Sequence, residues 1–208
     1  ESFANLLQPL GIGNEVVCRT ARFLTIPGAA AEKAALLLEP LDGKPFVAIF
    51  PGASIPERRW GVERFGVVAA TLADKGFKIV VVGGCEDRAD GKIIVGAMGL
   101  TLAGITTLAE TAAVIARSSL LISGDSGVLH IAVGLDISTV SLFRPGLAEK
   151  WAPKGDKHVI LNRCLVCSPC TRFGTTPPCS NDVRCMKEIT AAQVVEAAVT
   201  LLNRNAKS

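Results

Sequence analysis

The sequence lacks long apolar runs and strongly basic segments, and both absences narrow the range of functions. No segment approaches the roughly 20 consecutive apolar residues that a membrane-spanning helix needs. The first residues also lack the basic stretch and apolar core of a signal peptide. The 22 basic residues are interspersed with 19 acidic ones, without the basic run that nucleic-acid proteins display. We therefore expect a cytoplasmic protein that does not bind nucleic acid.

Aromatic residues are scarce as well, at 5% of the chain, whereas 49% of the residues are hydrophobic and 20% are charged. This composition is typical of a folded protein with an aliphatic core. A length of 208 residues fits one large α/β domain, or one domain with an incomplete partner.

Strand and helix patterns alternate along the chain from Phe46 onward. The predicted strands cover residues 46–50, 77–84, 120–123 and 138–143, with a further short segment at 100–103. The predicted helices cover residues 29–38, 62–75, 87–97, 108–117, 126–134 and 188–203. Because the strands are apolar on both faces, we predict a Rossmann-like parallel sheet with helices on both faces. Residues 1–25 are expected to be a hinge or lead-in to a domain formed by residues 26–208.

Three polar loops follow predicted strands, at residues 51–60, 83–88 and 124–127. The carboxyl ends of parallel strands meet at one edge of the sheet, which is where such folds bind ligands. These loops are therefore the candidates for a functional site.

The stretch LLISGDSGVLH, residues 120–130, is typical of a strand, a turn of small residues and a helix N-terminus. Helix N-termini present unpaired N–H groups and a partial positive charge, so Asp125, Ser126 and Gly127 are candidates for a phosphate site. The same residues also suit ordinary helix capping. His130 lies about one helical turn beyond Ser126, where it either approaches a ligand or packs as a structural residue.

The other two loops carry charged residues at strand ends. Arg58 and Arg59 follow the first strand, together with Ser54, and guanidinium groups pair well with a diphosphate. A solvated basic loop is the alternative. Glu86 follows the glycine pair of the second strand and could accept hydrogen bonds from ribose hydroxyls. Its alternative role is an interaction with the dipole of the next helix.

Five of the seven cysteines lie in a Pro-rich loop at residues 164–185. They are Cys164, Cys167, Cys170, Cys179 and Cys185. Spacing by two residues is typical of thiolate metal sites. No histidine lies nearby and no matching second pair follows, so we favour reduced or opportunistically paired thiols over a metal or redox centre.

Several of these stretches, taken in order, resemble the C-terminal half of glycosyltransferase family 9, the heptosyltransferases of the lipopolysaccharide inner core. The matching segments are PGAS with RRW, VVVGGCEDR, LAGITTLAETAAVIARSSLLISGDSGVLHIA, TVSLFRP, WAP and the cysteine run. The resemblance covers about residues 26–205. It implies the donor-binding half of a GT-B fold and inverting transfer of heptose from ADP-heptose to a lipid-linked acceptor, with no metal or other cofactor.

The resemblance also implies roles for individual residues. Ser54 and Arg58 would lie at the diphosphate, Glu86 at the ribose and Thr106 in the adenine pocket. The heptose and phosphate would be held by Asp125, Ser126 and Gly127, with His130 beside them.

The chain departs from the family pattern at some positions. Arg58 stands where the family usually has lysine. Arg144 replaces a glycine and Gly146 replaces a hydroxyl residue, and these two changes leave the identity of the donor sugar open. The N-terminal Gly-Asp motif that supplies the general base is not found, so the resemblance implies that this stretch binds donor without catalysing transfer alone.

The acceptor would be met through that N-terminal domain, and peripheral association with the cytoplasmic face of the inner membrane stays open for the whole enzyme. Two further classes also remain open at this stage. One is a non-catalytic nucleotide-sugar binding module, and the other is a metal or redox protein organised on the cysteines.

Overall fold

The structure is a computed structural model that describes residues 22–97, 99–143, 148–167, 170 and 175–206. The strands are β1 (Phe46–Phe50), β2 (Lys78–Val81), β3 (Leu100–Thr101), β4 (Leu120–Gly124), β5 (Thr139–Phe143) and β6 (His158–Asn162). The helices are α1 (Gly28–Leu38), α2 (Val62–Asp74), α3 (Arg88–Val95), α4 (Leu108–Ile115), α5 (Gly127–Gly134), α6 (Ala148–Trp151), α7 (Arg184–Lys187) and α8 (Ala191–Asn205). Short 3₁₀ turns at Glu39–Leu41, Pro56–Arg58 and Cys85–Asp87 lie between them.

The six strands form one sheet in the order β3-β2-β1-β4-β5-β6, and every neighbouring pair is parallel. The predicted Rossmann-like α/β class is therefore confirmed. The strand order reverses between β1 and β4, which makes their carboxyl ends the switch point where such sheets bind ligands.

Side chains that alternate along the strands fill two separate cores, one on each face of the sheet. Val47 and Ile122 belong to the core covered by α2, α3 and α8. Ala48 and Leu121 belong to the other core, which α1, α4 and α5 cover. This two-sided burial is the reason that the central strands are almost uninterruptedly apolar.

Several elements differ from the sequence prediction, among them the short helix α6, which was not predicted. β6 was not predicted, because it is an edge strand whose five residues are all only partly buried and its apolar pattern is short. The short helix α7 overlaps the end of the predicted Cys-rich loop. Helix α8 begins at Ala191 rather than at 188, since the Thr190 hydroxyl accepts a hydrogen bond from the Gln193 N–H and caps the helix there.

The chain enters the domain along the C-terminal end of α5. The backbone N–H groups of Phe23 and Leu24 both donate to the carbonyl of Gly134, each at 2.9 Å. A side chain at Gly134 would come within 2.7 Å of Leu24, so only glycine permits this contact without a shift. Residues 1–21 of the predicted lead-in lie outside the described residues, and the division at residue 25 remains a prediction.

Within the part of the chain that the structure describes, no helix is both long enough and apolar enough to span a membrane.

Candidate functional site at the switch point

Arg58 and Asp125 meet at the switch point between β1 and β4. Arg58 ends the 3₁₀ turn in the loop after β1, and Asp125 directly follows β4. The Arg58 Nη1 atom lies 3.7 Å from Asp125 Oδ2, with side chains 23% and 11% exposed. The two loops therefore place a cation and a carboxylate together at the rim where ligands bind such sheets.

The Arg58 side chain also has unused hydrogen-bonding capacity. Its Nε atom is buried and has no hydrogen-bond partner among the described residues. Buried polar groups are almost always hydrogen-bonded, because a buried donor or acceptor without a partner costs about 1–3 kcal/mol. An anionic oxygen arriving at this rim would satisfy the guanidinium.

The N-terminus of α5 lies next to this pair. Ser126 caps the helix by accepting a hydrogen bond from the Leu129 N–H at 3.2 Å, and its hydroxyl is 3.0 Å from that of Ser123. Gly127 is exposed, and a Cβ there would meet nothing within 4 Å. The capping interpretation of this turn is thus confirmed, and it leaves the partial positive charge of the helix N-terminus accessible to an anion.

The environment of Asp125 alters its ionisation. Burial raises the pKa of the Asp125 carboxyl above its ordinary value of 3.8, although the positive charges of Arg58 and, to a smaller extent, His130 act in the opposite direction. Its backbone N–H donates to the carbonyl of Leu142 at 3.3 Å, which fixes the turn against β5. Asp125 is therefore a partly desolvated acceptor held in place on the sheet.

This raised pKa predicts a pH-dependent difference between the wild type and Asp125→Asn. The native state keeps a proton that the unfolded chain has released, so the stabilisation from protonation is complete below pH 3.8 and disappears as pH rises through the native pKa. Asparagine does not titrate. As the pH falls from 7 to about 4, the free energy of unfolding of the wild type should therefore increase relative to that of the variant. Paired urea titrations at each pH measure this difference, and a constant difference would contradict the prediction.

The other predicted site residues lie on the same rim, but they do not all contact the Arg58–Asp125 pair. Ser54 and Glu86 are exposed in the loops after β1 and β2, and His130 is exposed on α5. Thr106 lies in the loop after β3, where its hydroxyl is 2.8 Å from that of Thr111. That loop is tied to the end of β2 because the Gly104 N–H donates to the Gly83 carbonyl at 2.9 Å. Arg144 and Gly146, the two departures after β5, lie outside the described residues.

Asp87 is a residue of this rim that sequence reasoning did not single out. Its side chain is only 1% exposed, and its carboxylate accepts hydrogen bonds from the Gly84 N–H at 3.1 Å and from Arg59 Nη2 at 3.3 Å. Burial raises the pKa of Asp87, while the Gly84 N–H and Arg59 oppose the shift. The signal in the sequence was a glycine in each of the loops after two neighbouring strands, with an acid at the helix start that follows the second glycine.

The two glycines leave the space that Asp87 fills. A Cβ at Gly52 would stand 2.6 Å from Asp87 Oδ2, and one at Gly83 would stand 2.7 Å from the same atom. Contacts this short force the neighbouring groups to move. The carboxylate is thus wedged between the loops that follow β1 and β2.

This packing predicts that Gly52→Ala destabilises the fold by about 1–3 kcal/mol, the usual cost of overpacking. Gly66→Ala is the matched control, because a Cβ there meets nothing within 4 Å and the residue lies inside α2. In a helix interior alanine is more stable than glycine by about 0.5–1 kcal/mol, so Gly66→Ala should increase the free energy of unfolding. Urea denaturation of both variants measures the two free energies of unfolding. Equal effects of the two substitutions would contradict the steric argument.

The cysteine loop does not assemble a cluster in the described residues. Cys164 and Cys167 are exposed, whereas Cys185 is buried against the core. The Cys170 Sγ atom contacts the Cys167 carbonyl at 3.2 Å, and Cys179 Sγ accepts from the Val183 N–H at 3.3 Å. Across the described ranges, no group of three or more His, Cys, Asp or Glu side chains is placed to hold a metal ion.

Comparisons with known proteins identify the family of this chain. The family model for glycosyltransferase family 9 (heptosyltransferase) matches residues 26–180. Lipopolysaccharide heptosyltransferase 2 of Escherichia coli is 29% identical over 126 residues, covering 57% of this chain and 36% of that protein.

Two solved structures share the fold. A family 9 glycosyltransferase from Veillonella parvula has a TM-score of 0.77 at 24% identity, covering 96% of this chain and 58% of that one. The E. coli heptosyltransferase WaaC, solved with ADP-2-deoxy-2-fluoro heptose, has a TM-score of 0.58 at 19% identity, covering 80% and 47% respectively. The chain thus spans between about a third and three fifths of the length of these proteins.

Proposed function

Because this chain belongs to glycosyltransferase family 9, the heptosyltransferases, we propose that its Rossmann-like domain, assigned to residues 26–208, binds the nucleotide-sugar donor of a heptosyl transfer. The donor is ADP-heptose, and the acceptor is the lipopolysaccharide inner core. The whole protein would meet this acceptor through its other domain. No cofactor is assigned, since ADP-heptose enters as a substrate.

The observation that carries the proposal is the Arg58–Asp125 pair at the switch point, next to the N-terminus of α5. Arg58 offers the donor's diphosphate a guanidinium whose Nε has no hydrogen-bond partner in the described residues. Ser126 and Gly127 add the helix N-terminus, which suits the same diphosphate. Asp125 is then in position to accept hydrogen bonds from the sugar, with His130 beside it.

The remaining assignments follow the order of the loops along the rim. Glu86 after β2 accepts hydrogen bonds from the ribose, and Thr106 after β3 belongs to the adenine pocket. Ser54 joins Arg58 at the diphosphate from the exposed part of the loop after β1. Related structures support this choice of ligand, since WaaC was solved with ADP-2-deoxy-2-fluoro heptose.

The chemical role of these residues is to stabilise the leaving group. In an inverting transfer the acceptor hydroxyl attacks the anomeric carbon, the bond from that carbon to the diphosphate oxygen breaks, and a base takes the hydroxyl proton. Negative charge develops on the departing ADP, where Arg58 and the helix N-terminus stabilise it electrostatically. We assign no base within residues 26–208.

Calorimetric titration of the folded chain with ADP tests the proposal, with UDP as the matched control nucleotide. We expect saturable binding of ADP and weaker binding of UDP. A folded chain that binds neither nucleotide would overturn the proposal. Binding of both with equal affinity would contradict the adenine assignment at Thr106.

A further inference from the structure

Two consecutive arginines in the loop after β1 point to different carboxylates. Arg58 faces Asp125 at the end of β4, whereas Arg59 faces Asp87 and Asp90 at the start of α3. The Arg59 Nη1 atom lies 3.1 Å from Asp90 Oδ2, so both ends of its guanidinium are engaged. Arg59 is therefore held against α3 and takes no part in the pair at the switch point.

Asp87, one of the two partners of Arg59, is itself held firmly in place. The Asp87 carboxylate is enclosed between Gly52 and Gly83 and accepts a backbone hydrogen bond from Gly84. Gly52 belongs to the same loop as Arg59, so the carboxylate that pairs with Arg59 also fills the space beside Gly52 at the start of this loop. It thereby links the loop after β1 to the loop after β2.

We propose that Asp87 is a positioning residue for donor binding, because through Arg59 it fixes the backbone that presents Arg58 to the diphosphate. This inference rests on the proposed function of the domain. Asp87 itself does not touch the donor in this proposal. Its effect on binding passes through Arg58.

Fold stability gives no sufficient reason for an ionised group at this position. Withdrawing a carboxylate from water is costly, and a buried ion pair is weak evidence for stability. The negative charges of Glu86 and Asp90 add to this cost at Asp87. Asparagine would preserve the shape of the side chain and an acceptor for the Gly84 N–H. Compared with asparagine, aspartate adds a negative charge, and this charge orients Arg59.

Neutralising Asp87 also leaves no isolated buried cation behind. The Arg59 side chain is 34% exposed and retains Asp90 as a partner. We therefore expect Asp87→Asn to fold, with a melting temperature within about 3 °C of the wild type.

A double-mutant cycle on ADP affinity tests the inference, using calorimetry on the wild type, Asp87→Asn, Arg58→Ala and the double variant. Asp87→Asn alone should weaken ADP binding about fivefold. In the Arg58→Ala background the same substitution should change affinity by less than about twofold, because the group that it positions has been removed. Asp74→Asn, at an exposed site at the end of α2, is the control for loss of one negative charge and should have no effect.

The outcomes separate this inference from the proposed function. If the wild type does not bind ADP, the proposed function fails and the inference falls with it. If the wild type binds but Asp87→Asn binds equally well, only the inference is overturned. A loss of the same size in both backgrounds also overturns it, since that result indicates a general structural role. Should Asp87→Asn fail to fold, Arg59→Lys replaces it in the cycle with the same expectation, because lysine keeps a cation beside Asp87 but loses the planar fork that contacts both carboxylates.

Discussion

Replacing Arg58 with alanine is expected to weaken ADP binding by about 10- to 100-fold. The substitution removes charge-assisted hydrogen bonds to the diphosphate, which contribute about 1.5–3 kcal/mol, and each 1.4 kcal/mol changes affinity about tenfold. The structure supports a large effect, because Arg58 is only 23% exposed and its Nε has no hydrogen-bond partner in the described residues. Calorimetric titration with ADP measures the change.

Two further arginine variants separate the contribution of the Arg58 guanidinium geometry from a general effect of positive charge. Arg58→Lys keeps the charge but loses the planar fork of donors, so we expect affinity within about fivefold of the wild type. Arg184→Ala is the control for loss of a positive charge, since Arg184 is exposed on α7 and pairs with Glu188. It should bind ADP as the wild type does. A folded Arg58→Ala variant with unchanged affinity would remove Arg58 from the donor site.

Replacing Leu121 with alanine is expected to cost about 2–5 kcal/mol of the free energy of unfolding. Leu121 is fully buried in β4, which pairs with β1 on one side and β5 on the other. Neighbouring strands restrict collapse around the cavity, so the lost contacts are only partly recovered. The melting temperature should fall by about 5–20 °C, given about 2–4 °C per kcal/mol for a domain of this size.

Leu36→Ala is the matched control for this prediction. Leu36 lies on α1 and is 59% exposed, so the same chemical change removes little buried surface. It should alter the free energy of unfolding by no more than about 0.5 kcal/mol. Equal losses for the two variants, measured by urea denaturation, would contradict the assignment of β4 to the centre of the core.

The sequence pattern was sufficient for the central elements of the fold. Residues 46–50 and 120–123 are apolar on both faces, and the structure places them side by side as β1 and β4. Their position predicted the rim on which Arg58 and Asp125 meet. Periodicity succeeds here because burial on both faces constrains every position of a central strand. It failed for β6, whose residues are all only partly buried.

The connections within the site depended on tertiary contacts. Arg58 and Arg59 are chemically equal and adjacent in the sequence, yet they face carboxylates on different elements. The burial of Asp87 depends on Gly52 and Gly83, which lie in the loops after two different strands and are brought together only by the sheet. A linear pattern does not contain this proximity. In the sequence, Asp87 could therefore not be distinguished from any other polar residue at the start of a helix.

Helix α5 has a consequence for how the candidate site is held relative to the incoming chain. Its first turn supports the Asp125–Ser126 turn, and its last carbonyl receives the N–H groups of Phe23 and Leu24. Eight residues of helix span about 12 Å. Phe23 and Leu24 are thus held at one end of this helix, and the Asp125–Ser126 turn lies at its other end.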